Sequence, residues 1–471
     1  MPYPSPLEAK ANAALAPFSA ARRALASSVN RKIFRAVTIL SGFSGVVLAA
    51  TTARELVVAN YFGRSDALDA YITAYVLPLF MVTLVSKSFD AAVIPTFIEV
   101  RESEGAEAAQ RLFSGALVWS LALLVTIALL LAAFAPYYLP LLASGFSASK
   151  LLLTRKLLYF MLPLVVMSAV TVNGTALLNA GERFALPAIL PILAPLGGLL
   201  CLLALGRRWG IYALAVGTVA GTALQALSLV ALARAHGVRL APRWSGFDPK
   251  LRQVAGQYVP MVTGALLMGT TELVDQAMAA MLPPGSVAAL GYARKIVNVL
   301  VVVGAIPLAA ATLPYFSDMV AKGEWQSCRH TLRTYTGLIL LATLPITAGM
   351  VVFARPLVRI LFQRGAFTAV DTAVVSHVEA WLALQVPFYV LGNMAVRLVS
   401  ALKRNGILMG IAAVNTVLNA VLNWLLMWRY GVAGIALSTS IVYLVSCVLV
   451  FGSLYALIGR KRAQPAPASS P

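Results

Sequence analysis

From about Phe34 to Leu457 the chain is a nearly continuous succession of apolar runs of roughly 20 residues, each bounded by Gly, Pro or charge. A run of that length crosses the hydrocarbon core of a bilayer as an α-helix, the form in which a segment satisfies its own backbone N–H and C=O groups without water. Runs such as Leu117 to Phe134 are apolar on every face, which excludes the short apolar/polar alternation of an outer-membrane barrel strand. With 60% hydrophobic residues, 11% charged residues and a mean hydropathy of +0.84, soluble enzymes and secreted modules are excluded as well. The expected class is an all-α polytopic membrane protein.

The net charge of +20 would suggest nucleic acid in a soluble protein, but most Lys and Arg lie in loops and tails beside apolar spans. There they act as topology signals, so no nucleic-acid partner is expected. Twelve spans follow, at roughly 34–62, 66–98, 112–136, 151–180, 184–206, 209–234, 253–282, 286–320, 331–354, 371–402, 405–428 and 433–458. With a cytoplasmic N-terminus, the inside loops and tails hold about twice as many Lys and Arg as the outside ones. Both termini are therefore placed in the cytoplasm, with the spans in the cytoplasmic (inner) membrane. Residues 1–33 are a basic segment without a signal-peptide core, 235–252 a basic cytoplasmic linker, and 459–471 a disordered tail. Cys201, Cys328 and Cys447 are scattered and form neither a disulfide framework nor a metal motif.

The two halves are similar. Phe134-Ala135 with Gly145-Phe146 recurs as Phe353-Ala354 with Gly365-Ala366-Phe367, Pro95 recurs as Pro314, Trp209-Gly210 as Tyr430-Gly431, and Gly181 as Gly406, all about 220 residues apart. Each repeat holds an even number of spans, so the copies enter the membrane from the same side, related by a pseudo-twofold axis along its normal. The expected architecture is two six-helix lobes, 34–234 and 253–458, forming a V around a central cationic cleft.

Three stretches carry a family resemblance: Arg54-Glu55-Leu56-Val57-Val58-Ala59-Asn60-Tyr61-Phe62-Gly63 followed by Asp69-Ala70-Tyr71; Leu282-Pro283-Pro284-Gly285-Ser286-Val287 leading into Tyr292-Ala293-Arg294; and Gly365-Ala366-Phe367-Thr368. With these the chain resembles the MviN/MurJ family, the lipid II flippases of the multidrug/oligosaccharidyl-lipid/polysaccharide exporter superfamily. The resemblance implies transport of an undecaprenyl-diphosphate-linked saccharide across the cytoplasmic membrane without covalent chemistry. It also implies contact with membrane lipids and with glycan-synthesis proteins. The chain departs from the family pattern at Leu48 and near Val82-Thr83, where cavity arginines are expected, at Arg294-Lys295, and in ending after twelve spans rather than fourteen. An exopolysaccharide unit is the alternative cargo.

An ionisable group at mid-span costs roughly 2.5–3.5 kcal/mol on insertion, so each one is a candidate functional group. Arg54, Lys87, Arg294, Lys295 and Arg397 are the candidate ligands of a diphosphate, Arg through its planar fork of donors and Lys as a mobile point charge. Glu55, expected to point elsewhere on its helix, joins Asp69 and Asp90 as carboxylates of the cleft. Asp69 is expected to cap a helix end or pair with Arg54, and Asp90 shares a face with Lys87. Glu272 and Asp275, three apart in span seven, suit binding of one proton or cation between them. Asn419 and Asn423, part of an Asn415/Asn419/Asn423 stripe, could join them with Thr439 in an oxygen site for coupling Na+ or H+. No other cofactor or metal is implied.

Three rival functions stay open, one of them a non-transporting scaffold for a synthesis complex. A drug/cation antiporter of the same superfamily would want an acidic, aromatic cleft, and a glycan ligase or glycosyltransferase would want a sizeable extramembrane loop with paired carboxylates.

Overall fold

A computed structural model describes residues 28–180, 185–235, 269–301 and 306–462, and all regular structure among them is helical. The 235–252 linker (from residue 236 on) and the tail from residue 463 lie outside the described residues, as does span seven before residue 269. Ten described helices are long and apolar enough to cross a membrane. The other two expected spans are accounted for. Span seven is described only from residue 269 and is helical over 269–280, and span eight is described as Ser286–Leu300 and Ile306–Ala321 on either side of residues 302–305, which lie outside the described residues; each described piece is shorter than a full span.

Hydropathy bounds an apolar run, whereas the hydrogen-bonded ladder continues into polar flanks, so several helices outrun their expected limits. Span two is Asp66–Ser103 and span three Ala106–Leu142. Span ten divides into Ala369–Ala383 and Val386–Ala401, with Pro387 in the first turn of the second piece, where its missing N–H costs nothing. Spans five and six pack backbone to backbone. A Cβ on Gly197 would lie 2.4 Å from the Gly217 carbonyl oxygen, and one on Gly221 would lie 2.2 Å from that of Leu193. That crossing leaves a slot at Gly198, against which the Arg54 side chain rests.

The helices of each half pack mainly with one another, giving two lobes. The internal repeat reappears as reciprocal contacts. Gly145 of the first half fits against Ala280 of the second, and Gly365 of the second fits against Asn60 of the first. Both members of one pair are displaced from those of the other by the same 220 positions, as a pseudo-twofold axis requires.

Candidate functional site

The two lobes are joined at one end by a latch that uses all three motif stretches. Gly63 and Gly365 take positive φ, +50° and +56°, where a glycine backbone turns without strain. Those turns bring Ala366 N–H to the Asn60 carbonyl at 2.8 Å. Tyr292, buried between Phe362 and Phe367, donates its hydroxyl to the Gly63 carbonyl at 3.1 Å. Thr368 and Asp371 form a capping box that starts helix Ala369–Ala383, and Asp371 also meets Arg64 at 3.6 Å.

Asp69, 1% exposed, sits at the centre of this latch. It accepts the backbone N–H groups of Gly285 at 2.7 Å and Ala288 at 2.8 Å, capping helix Ser286–Leu300 of the opposite lobe. Of the two roles expected for it, the geometry takes the helix cap, and its ion-pair partner is Lys150 at 2.8 Å rather than Arg54. Lys150 also binds Asp66 at 2.6 Å and lies 4.0 Å over the Phe146 ring.

Deeper between the lobes, Arg54 and Lys295 converge on one carboxylate. Arg54 Nη2 donates to Glu55 Oε1 at 2.6 Å, and Lys295 Nζ donates to Glu55 Oε2 from the other lobe. Glu55 therefore turns toward Arg54, correcting the expectation that it points elsewhere. Tyr71 and Tyr75 stack at 6.1 Å beside Arg54, and Tyr71 hydrogen-bonds Thr218 at 3.1 Å. Arg54 Nε is buried with no partner among the described residues. Two cations against one carboxylate leave this cluster with a net charge of +1 and an unused donor, which suits a phosphate group.

A second cluster lies in the C-terminal lobe. Asp275, 1% exposed, accepts Asn419 Nδ2 at 2.9 Å and Asn423 Nδ2 at 2.7 Å on one oxygen. The other oxygen accepts Thr439 Oγ1 at 3.2 Å and Arg294 Nη2. Glu272 does not share this desolvated site. Its side chain is 70% exposed and 3.7 Å from Arg294, so the cation that stands between the two acids here is the Arg294 guanidinium. Arg294 is correspondingly drawn to Asp275 and away from the Arg54 cluster. A cavity of about 600 Å³ lies between span two and the C-terminal lobe on the side of the second cluster, lined by Phe80 and Thr83 of span two and by Glu272, Asn393, Asn415 and Thr439.

The remaining candidates stand apart. Arg397 is half-buried and makes no ion pair among the described residues, its Nε having no partner. Lys87 and Asp90 fall within helix Asp66–Ser103, but their side chains lie outside the described residues. Asn415 donates to Ser446 at 3.0 Å, tying spans eleven and twelve.

The profile of the lipid II flippase MurJ family matches residues 58–464, most of the chain. The chain belongs to the lipid II flippase MurJ family. Among relatives, a probable lipid II flippase MurJ of a Synechocystis species is 28% identical over 87% of this chain and 80% of its own length. In fold, the chain is similar to a lipid II flippase MurJ in an inward closed conformation, with a TM-score of 0.77 and 21% identity over 88% of this chain and 87% of the other. It is equally similar to an inward-facing multidrug resistance MATE family transporter of the MOP superfamily, with a TM-score of 0.77 at 14% identity over 89% and 96%.

Within this MurJ-family chain, sequence reasoning missed Lys150 and Glu379. For Lys150 a signal existed: Asp66 and Asp69, three apart on one helical face, call for a shared cation. Glu379 is fully buried in helix Ala369–Ala383 with neither carboxyl oxygen partnered among the described residues, and no pattern in the sequence separates it from an exposed glutamate.

Proposed function

We propose that this chain carries a polyprenyl-diphosphate-linked saccharide, of the lipid II class for which its relatives are named, across the cytoplasmic membrane by alternating access. The observation that carries the reading is the convergence of Arg54 and Lys295, from opposite lobes, on the Glu55 carboxylate. Glu55 sits between them as a phosphate oxygen would, so a diphosphate entering the cleft would exchange with it for the same donors. Recruiting one cation from each lobe makes headgroup binding sensitive to how far apart the lobes stand. The 600 Å³ cavity on the side of the Asp275 cluster, with the Asn393 and Asn415 amides on its wall, offers polar contacts to sugar while the polyprenyl tail stays in lipid.

With both termini cytoplasmic, spans one, seven and nine end on the outer side, where the Asp69 latch lies. The arrangement is then closed outward and loads from the cytoplasm. No bond is made or broken, and the membrane potential suffices to bias the cycle, at about 2.3 kcal/mol per elementary charge per 100 mV. Glycan-synthesis proteins on either side would supply and consume the cargo. The drug-antiporter reading shares the fold, but the net positive charge of the Arg54–Glu55–Lys295 cluster disfavours a cationic drug.

The test is replacement in cells whose own lipid II flippase is depleted. Restored growth and peptidoglycan synthesis are expected from the wild-type chain and not from Arg54→Ala expressed at the same level. Growth restored equally by both would refute the role given to the cluster, and growth restored by neither would move the cargo away from lipid II.

A further inference from the structure

The sequence places Asp275, Asn419, Asn423 and Thr439 where oxygen atoms could surround a small cation. We infer that Arg294 is a tethered cation filling that site, so that this transporter takes up no alkali ion there. The inference concerns the resting protein and does not depend on which cargo the cleft carries.

Charge is the first ground. The four side chains supply one negative charge, and the Arg294 guanidinium, donating to Asp275 Oδ2, already cancels it. A sodium ion added beside it would leave an uncompensated positive charge among groups at most 5% exposed, which a low-dielectric interior disfavours strongly. Glu272 is near enough to feel Arg294 but is largely exposed, so it does not supply the missing charge inside the site.

Ligand geometry is the second ground. A bound cation needs oxygen lone pairs, and both oxygens of Asp275 already accept two donors each. The two amides turn their nitrogen ends to Asp275, and the Asn423 oxygen is buried with no partner of its own among the described residues. Turning either amide over would set its oxygen against the Asp275 carboxylate. That is unfavourable while the guanidinium is the only positive charge present, and favourable once a metal ion takes its place. The residues thus form an oxygen site held by the protein's own cation.

The consequence is mechanical. A charge that would otherwise arrive and leave with an ion is fixed to helix Ser286–Leu300, one residue from Lys295, which reaches across to Glu55. In this arrangement that helix ties the two clusters together, with no dependence on a sodium gradient at this position.

The probe is sodium alone, with purified full-length protein in nanodiscs and NaCl exchanged for N-methylglucamine chloride at constant ionic strength. Wild type and Arg294→Lys are expected to show no saturable rise of melting temperature with sodium. Arg294→Asn is expected to gain one, together with saturable 22Na binding, and to lose both when Asp275→Asn is added. Saturable sodium binding by the wild type that Asp275→Asn abolishes would overturn the inference. So would a folded Arg294→Asn protein that binds no sodium, since no cation site would then underlie the guanidinium. If Arg294→Asn fails to fold, the wild-type titration with its Asp275→Asn control decides alone. None of these readouts involves transport, so an incorrect cargo assignment leaves the result standing.

Discussion

Replacing Asp69 by Asn should weaken the latch without unfolding either lobe, and the size of the effect follows from what Asp69 touches. It accepts two backbone N–H groups at the start of helix Ser286–Leu300 and one ammonium, all while 1% exposed. Hydrogen bonds to a charged group contribute about 1.5–3 kcal/mol each, and breaking a buried pair outright costs about 3–5 kcal/mol. Asn retains one acceptor for the helix end, and Lys150 keeps Asp66 at 2.6 Å, so neither group is wholly stranded. The net loss is therefore about 2–3 kcal/mol, and because the N–H groups belong to the other lobe, most of it falls on the latched arrangement. At 1.4 kcal/mol per tenfold, the ratio of latched to unlatched protein should fall about 30- to 140-fold. Spin labels at Ser144→Cys and Ala369→Cys, exposed positions of opposite lobes, would report this as a new, longer distance on a background lacking Cys201, Cys328 and Cys447. An unchanged distance distribution in Asp69→Asn, in protein of wild-type melting temperature, would show that Asp69 does not hold the lobes together.

Three further outcomes follow. Arg54→Lys keeps the charge but loses the fork and should transport slowly, whereas Arg54→Ala should not transport, as measured by initial rates at matched expression. Gly365→Ala places a Cβ 2.3 Å from Asn60 Oδ1 and 2.4 Å from its carbonyl, at a positive φ, so it should shift the same spin-label distances outward while Gly392→Ala, with open space around it, should not. Glu379→Gln should hold or raise the melting temperature by up to a few degrees, because a buried carboxylate without a partner costs more than its neutral isostere.

Much of the fold was legible because bilayer thickness sets helix length and because a repeat leaves matched glycines. The Gly145 and Gly365 correspondence was visible as letters 220 apart, and the structure gives it a cause, since each glycine lets one lobe's loop touch the other's first helix. The motif stretches around Arg54, Gly285 and Gly365 were legible as separate signals, but not that they meet, since contact across 200 or more residues is decided by tertiary packing. Sequence groups Arg294 with the phosphate ligands because it gives the residue's charge and depth but not the rotation of its helix, which turns Arg294 to Asp275 and its neighbour Lys295 to Glu55. The division of span ten was hidden for a related reason. Hydropathy runs unbroken across Leu384 and Gln385, and only Pro387 hinted that the ladder restarts there.

The central claim is that a cluster joining both lobes passes a diphosphate-linked saccharide across the bilayer. Its most direct test is flipping in proteoliposomes, with a fluorescent polyprenyl-diphosphate saccharide in both leaflets and a membrane-impermeant quencher added outside. The account predicts that the wild-type protein makes the whole pool accessible, that Arg54→Ala with Lys295→Ala leaves about half of it protected, and that the same lipid without its phosphates is not moved. Equal movement by wild type and double variant, or movement of the phosphate-free lipid, would contradict it.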